Sequence, residues 1–362
     1  MNVTLNRTLK RVRSTVEMRS VAVGCQLYVS HKRFQNSVSV GLGAPDKAMT
    51  EDTMFRLHCA GKPFIAIAIA VLVSKGTISL EDNIVDYIPE FRSQATSNIT
   101  IRNVLSHTAG LAHPAAVRVA QLNLLSRHKL VCHQTFADNF EPVGESSYSE
   151  YSGWHLLGCI IERVTGSKYS DFLNKSVFWP FGMRSTQFGA FSKSQYEKSQ
   201  SRMGVFYDFN GDTPTPMLYD RSETLCTEWN PAFGCYGTAL DLGLFYGGIL
   251  KCLLDKEDVI LPFKVAYEFS QVSRGRMFDP ILDRICNFSL GFMIDLDDFD
   301  FGQHISAISF GHVGNIGSTW AFCDPANELV VSMIFNGWSS AEVSRSIRSE
   351  LIDIIYQELF GC

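Results

Sequence analysis

MFRLHCAGKPFIAIAIAVLVSKG, residues 54–76, sets two unlike things side by side. Cys59 and Lys62 are polar and reactive, and a long apolar run follows them at once. The run predicts a helix from about Cys59 to Ser74 that stops at Gly76, with Pro63 suited to its first turn. A helix start favours an anion through its free N–H groups and its dipole. Lys62 would lie one turn on, on the same face. Both effects favour a thiolate at Cys59, and a thiolate beside a lysine is a nucleophile with a proton carrier. On this stretch alone the more ordinary reading stands ahead: a buried cysteine beside a lysine whose stem covers apolar surface.

Working outward on the N-terminal side, VAVGCQLYVS and FQNSVSVGLG read as two strands joined by a polar turn at His31 to Arg33. Val21, Val23, Cys25, Leu27 and Val29 alternate, as one face of an antiparallel hairpin should. Before them, MNVTLNRTLKRVRSTVEMRS is basic and lacks the apolar segment of a secretory signal, so it reads as a solvated arm or a short helix. On the C-terminal side, short helices are expected before Pro89 and after a cap at Thr100. An amphipathic helix is expected through SGWHLLGCIIERVTG, with Trp154, Leu157, Ile161 and Val164 at helical spacing. Another follows at ALDLGLFYGGILKCLL. Strands return in FSLGFMIDL, ISFGHVGNIGSTWAFCDP and LVVSMIFNGW, and a helix runs from about Ala341 to Phe360. That order suits an α/β (α+β) fold: an antiparallel sheet built from both termini and flanked by helices, with a mostly helical insertion.

The chain has 362 residues, 46% apolar and 19% charged, which is globular composition. A net charge of −5 does not suit non-specific nucleic-acid binding. The apolar run after Pro63 is about eleven residues, too short to cross a bilayer. A soluble, cytoplasmic protein is therefore expected. Ten cysteines are scattered with no pair separated by two residues, so no metal is assigned, and most read as free, buried, small hydrophobes.

Five motifs in order change the weight of the Cys59 pair. FRLHCAGKPF resembles the Ser-x-x-Lys motif of the serine β-lactamase, penicillin-binding-protein and related esterase superfamily, nearest its class C and D-aminopeptidase-like branch, with Cys59 in the serine's place. NVLSHTAGL resembles the segment that usually reads Leu-Leu-x-His-x-Ser-Gly-Leu, with Ala109 replacing the serine. YSEYSGWHLLGCIIERVTG resembles the Tyr-x-Asn motif and its helix, FWPFGMRST the Pro-Leu-Gly-Met segment, and GHVGNIGS the third motif on a core strand. The likeness runs from about Val21 to the C-terminus. It implies a β-lactamase/transpeptidase-like fold: residues 1–20 as an N-terminal arm, then one catalytic unit over 21–362. Its sheet part would be about 21–80 plus 286–362, its helical part about 81–285.

The resemblance implies roles residue by residue. Cys59 takes the nucleophile's place and Lys62 is its general-base partner. The proton-shuttling tyrosine is Tyr148, although counting back from Leu156-Leu157-Gly158 without a gap would select Tyr151. Glu150 stands where the family has Asn. His312 and Gly314 would line the opposite wall of the cleft. The oxyanion hole would combine the Cys59 N–H with one from Asn315 to Gly317. His107 reads as a loop-fixing residue, Trp154 as core, and His58, His304, Cys235 and Cys323 gain no role from any motif.

A cysteine makes the intermediate a thioester, which reacts readily with amines and comparatively slowly with water. The expected function is therefore acyl transfer from a small-molecule or peptidyl donor, possibly itself a thioester, to an amine. An amidase or esterase is the alternative, and a non-catalytic binding scaffold the second. β-Lactam hydrolysis is not expected, because the residues that discharge the acyl group to water are altered. No cofactor, nucleic acid or membrane is expected as a partner.

Overall fold

The structure, a computed structural model, describes residues 5–111, 122–133, 145–189, 192–254, 260–314 and 317–361. Its frame is a nine-stranded sheet, every pairing antiparallel. In chain order the strands are β1 (Gly24–His31), β2 (Phe34–Ala44), β3 (Lys47–Ala48), β4 (Arg274–Asp279), β5 (Arg284–Phe288), β6 (Met293–Ile294), β7 (Phe310–Val313), β8 (Thr319–Asp324) and β9 (Leu329–Phe335). Across the sheet they run β3-β2-β1-β9-β8-β7-β6-β5-β4. The two ends of the chain thus meet at the β1–β9 pair, with Cys25 opposite Phe335 and His31 opposite Leu329.

Both faces of the sheet are covered, and the sequence of β9 shows it. LVVSMIF is buried at every position. Because side chains alternate across a strand, Val330 and Ile334 enter one core while Leu329, Val331, Met333 and Phe335 enter the other. The first core lies against the helical insertion. Its centre is α2 (Lys62–Ser74), which packs on α3 (Ser152–Thr165), while α4 (Ala239–Leu253) lies across β1, β8 and β9. A helix apolar all round belongs in an interior, and every residue of α2 from Lys62 to Leu72 is buried. The second core lies under α1 (Asn6–Glu17) and α5 (Ala341–Phe360).

Of the two readings for the N-terminal segment, the short helix is the one seen. Val12 and Val16 of α1 are buried, and Thr8 and Arg11 bond Glu358 and Glu350 of α5. The sheet takes in residues from Arg274, earlier than the boundary near 286. β4 is an edge strand with half its positions exposed and its two buried side chains charged, Arg274 and Asp279, so it lacks the apolar alternation that marks a core strand. Among the described residues no helix is long and apolar enough to cross a membrane.

Candidate active site

The short strand Phe55–Arg56 delivers the chain into a single 3₁₀ turn, His58–Gly61, and only then into α2. Cys59 sits in that turn rather than in the helix, which begins three residues later than its sequence predicts. The cause is Pro63. An α-helix would take a bond from the N–H of residue 63 to the carbonyl of Cys59, and proline has no N–H. The Lys62 N–H donates to the Cys59 carbonyl instead, which is the tighter 3₁₀ bond. His58 just before it has φ +50°, a left-handed value that costs a non-glycine residue on the order of 1 kcal/mol. Its ring is tied down by Asp220 at 3.5 Å and by the rings of Phe206 and Trp338.

Lys62 is fully buried. Its Nζ donates to Cys59 Sγ at 2.9 Å and to Tyr148 Oη at 2.8 Å, so one ammonium group bridges the thiol and the phenol. Tyr151 does not reach this site: its hydroxyl meets His155 Nδ1 at 3.1 Å. Burial pushes the Tyr148 hydroxyl well above its ordinary pKa, and the nearby Cys59 and Glu150 push it the same way. Tyr148 is therefore a neutral phenol, able to pass a proton but not to stand as a phenolate.

The loop carrying Tyr148 is held by His107, itself at φ +58°. The His107 carbonyl accepts from the Ser147 N–H at 3.0 Å, and its Nδ1 accepts from the Ser149 N–H at 2.9 Å. The imidazole lies 4.6 Å, centroid to centroid, from the Tyr148 ring. His107 thus fixes the loop on both sides of the tyrosine, the part expected of it.

Cys59, Tyr148 and Glu150 open on a cavity of about 300 Å³, and Val313 and Gly314 form its opposite side. His312 lies behind that wall, 1% exposed, because it alternates with Val313 along β7. Its ring faces Tyr148 at 6.2 Å. Nδ1 donates to the Val313 carbonyl at 2.9 Å, which leaves Nε2 as an acceptor with no hydrogen-bond partner among the described residues. Burial, helped by the Lys62 charge, holds the His312 pKa down to about 3, so the imidazole is neutral. At Gly314 a Cβ would stand 2.5 Å from the carbonyl oxygen of Leu57, so only glycine lets the strand close on the Cys59 turn. Asn315 lies outside the described residues. The Gly317 N–H already donates to the Gly314 carbonyl at 2.9 Å, which removes it from the oxyanion donors expected between 315 and 317.

Two features escaped the sequence. Beneath the turn, Arg56 pairs with Asp220 at 3.0 Å and with Glu228 at 3.8 Å, and Arg127 also pairs with Glu228. Burial opposes the Asp220 charge, but His58 and Arg56 outweigh it and hold that carboxyl well below the usual range. Arg56 and Asp220 are 164 residues apart, and no local spacing signals such a pair. On the cavity side Arg284, Arg345 and Arg348 gather around Asp300. A larger cavity of about 560 Å³ opens between the Tyr28–Gln35 hairpin and α4, and none of Cys59, Lys62 and Tyr148 lines it.

Comparison with known proteins matches residues 21–353 to the family described as Beta-lactamase. A penicillin-binding protein of Bacillus subtilis (strain 168) is 31% identical over 175 residues, 46% of this chain and 38% of that protein. Esterase EstB of Burkholderia gladioli is 29% identical over 175 residues, 44% of each chain. The match thus spans less than half the length of these curated relatives. Among solved structures, EstCE1, a hydrolase with promiscuous acyltransferase activity, superposes with a TM-score of 0.78 at 19% identity, covering 97% of this chain and 98% of its own.

Proposed function

The chain belongs to the beta-lactamase family, and from that premise we propose that it is an acyl-transfer enzyme working through a covalent thioester on Cys59. One observation carries the reading: the buried Lys62 ammonium bridges Cys59 Sγ and Tyr148 Oη at the floor of the cavity. With the thiol's proton already carried by Lys62, the Cys59 thiolate adds to the carbonyl carbon of a bound ester, amide or thioester. The oxyanion formed is met by the Cys59 N–H. As the tetrahedral adduct collapses, the leaving group takes the Tyr148 proton and Lys62 replaces it. Cys59 is left acylated and Lys62 neutral, ready to accept the proton of the acceptor in the second half.

Two acceptors are open to the thioester. Water makes the protein a hydrolase, the activity named for EstB and EstCE1. An amine makes it an amide-forming transferase. The thiol favours the amine, since thioesters aminolyse readily and hydrolyse comparatively slowly. Glu150, on the cavity surface where the family has Asn, suits a cationic amine better than an acyl amide. A thiol nucleophile works reduced, which fits a cytoplasmic setting.

The test is intact-protein mass spectrometry after incubation with panels of aryl esters, amides and acyl thioesters, followed by peptide mapping. The expected result is one acyl mass on Cys59, discharged faster when a suitable amine is added, with the amide as product. Free acid as the only product with every amine leaves the hydrolase. Cys59→Ala turning over substrate as fast as the parent would end the thioester mechanism. No adduct and no turnover with any donor would leave a binding scaffold.

A further inference from the structure

Away from the cavity lining, two helices present the same spacing to each other. His128 and Cys132 stand four apart on the helix Leu124–Cys132, and His155 and Cys159 stand four apart on α3. Residues four apart share a helix face, so each helix brings one imidazole and one thiol to a common seam. A search for close cysteine pairs within one segment passes over this pattern, because the four residues come from two helices.

The ligating atoms of His128, His155 and Cys159 all lie within 4.8 Å of one another. His128 Nδ1 is 3.1 Å from His155 Nε2, 3.9 Å from Cys159 Sγ and 4.0 Å from Cys132 Sγ. A tetrahedral zinc ion bound at ordinary Zn–N and Zn–S lengths would set nitrogens roughly 3.3 Å apart and nitrogen and sulfur roughly 3.6 Å apart. His128 Nδ1 already stands near those separations from His155 and Cys159, whereas Cys132 Sγ lies nearer the outward Nε2 of His128, at 3.5 Å, and joins the set only by turning its side chain into the seam.

The outer atoms fit as well. Metal-bound histidines usually donate their second ring N–H to a carboxylate or another polar group. His128 Nε2 stands 2.9 Å from Glu90 Oε1, and Glu90 is itself held by Arg163. His155 Nδ1 stands 3.1 Å from the Tyr151 hydroxyl. Each ring can thus turn its hydrogen outward and its lone pair into the seam.

We propose that His128, His155, Cys159 and Cys132 form a structural site for a divalent transition metal, zinc foremost. Two imidazoles and two thiolates suit zinc and exclude the oxygen-seeking calcium and magnesium. Binding releases the two thiol protons to solvent and needs no oxidant. Four protein ligands leave no open position, and the site lines neither the cavity nor Cys59, so its work is to pin the Leu124–Cys132 helix to α3. α3 begins four residues after Tyr148, so the metal would steady the helix that follows the catalytic loop.

The experiment uses the full chain, purified reduced and metal-free. Equilibration with zinc followed by gel filtration and elemental mass spectrometry should give one zinc per chain. Cobalt(II) should give tetrahedral d–d bands and an intense thiolate-to-cobalt charge-transfer band. Cys159→Ser should lose that band in part and bind metal about 10–100-fold more weakly. His128→Gln, at a partly exposed position, should weaken binding alike while its circular dichroism matches the metal-free parent. Zinc should raise the melting temperature of the parent and not of the variants. The proposal is overturned by metal content at background, by cobalt spectra lacking the thiolate band, by unchanged metal content in both variants, or by recovery of a Cys132–Cys159 disulfide from the freshly purified chain.

Discussion

One lysine serves two partners at this site, and the consequences differ for each. Tyr148 offers the only proton between Lys62 and a leaving group in the mechanism proposed. Tyr148→Phe keeps the ring packed against His107 and Phe288 and removes only the hydroxyl. Turnover should fall about 100-fold or more, with the melting temperature little changed; steady-state kinetics beside a thermal melt decides it, and unchanged turnover would remove Tyr148 from the proton path. His312 makes a prediction about stability. Folded, it stays neutral down to about pH 3; unfolded, an imidazole takes its proton near about 6.5. Between those values the unfolded chain binds more protons, so stability falls as pH falls. From pH 7 to 5 the loss due to His312 should be on the order of 2 kcal/mol, at roughly 1.4 kcal/mol per unit. Carboxylates titrate mostly below that window, so urea titrations at both pH values should show a smaller drop in His312→Gln than in the parent. Equal drops would mean that His312 is charged in the folded state.

At the scale of elements, the site depends on how tightly β7 closes on the turn that holds Cys59. Gly314→Ala drives a Cβ into the Leu57 carbonyl and within 3.2 Å of Thr319. Backbone cannot swing aside as a side-chain tip can, so the substitution should cost about 1–3 kcal/mol and depress activity as the turn shifts. Gly275→Ala, where nothing lies within 4 Å, is the control and should do neither; denaturant midpoints for the pair test it. Much of this scale was legible beforehand. The Thr100 cap, the Gly166 stop and the span of α5 from Ala341 to Phe360 all follow from local rules and appear as read. The meeting of Cys59, Lys62 and Tyr148 was legible through the resemblance alone, in the two motifs that carry those residues. What stayed hidden was set by distance or weak pattern. Asp220 and Arg56 find each other only in the folded chain, β4 wears the polar surface of an edge, and the start of α2 moved because one missing N–H outranked an apolar run.

Across the whole molecule, the N-terminal helix is part of the core rather than an appendage. Val12 is buried beside α5, and Val12→Ala should cost on the order of 1–2 kcal/mol. Since α1 lies across the sheet from the helical insertion, acylation of Cys59 at low temperature should be unaffected; chemical denaturation and labelling rates, measured together, separate the two effects. The same arrangement has a price in time. β1 has β2 on one side, but its other neighbour is β9, whose residues come some three hundred positions later. At about 5–20 residues per second of synthesis, a nascent chain carries β1 for roughly 15 to 60 s before β9 leaves the ribosome. Throughout that interval one edge of an apolar hairpin presents bare amide and carbonyl groups, the kind of surface on which chains pair with strangers. A protein so assembled is safest when made slowly, sparsely or under the cover of a chaperone, and overexpression should fill inclusion bodies with chains whose last strand came too late.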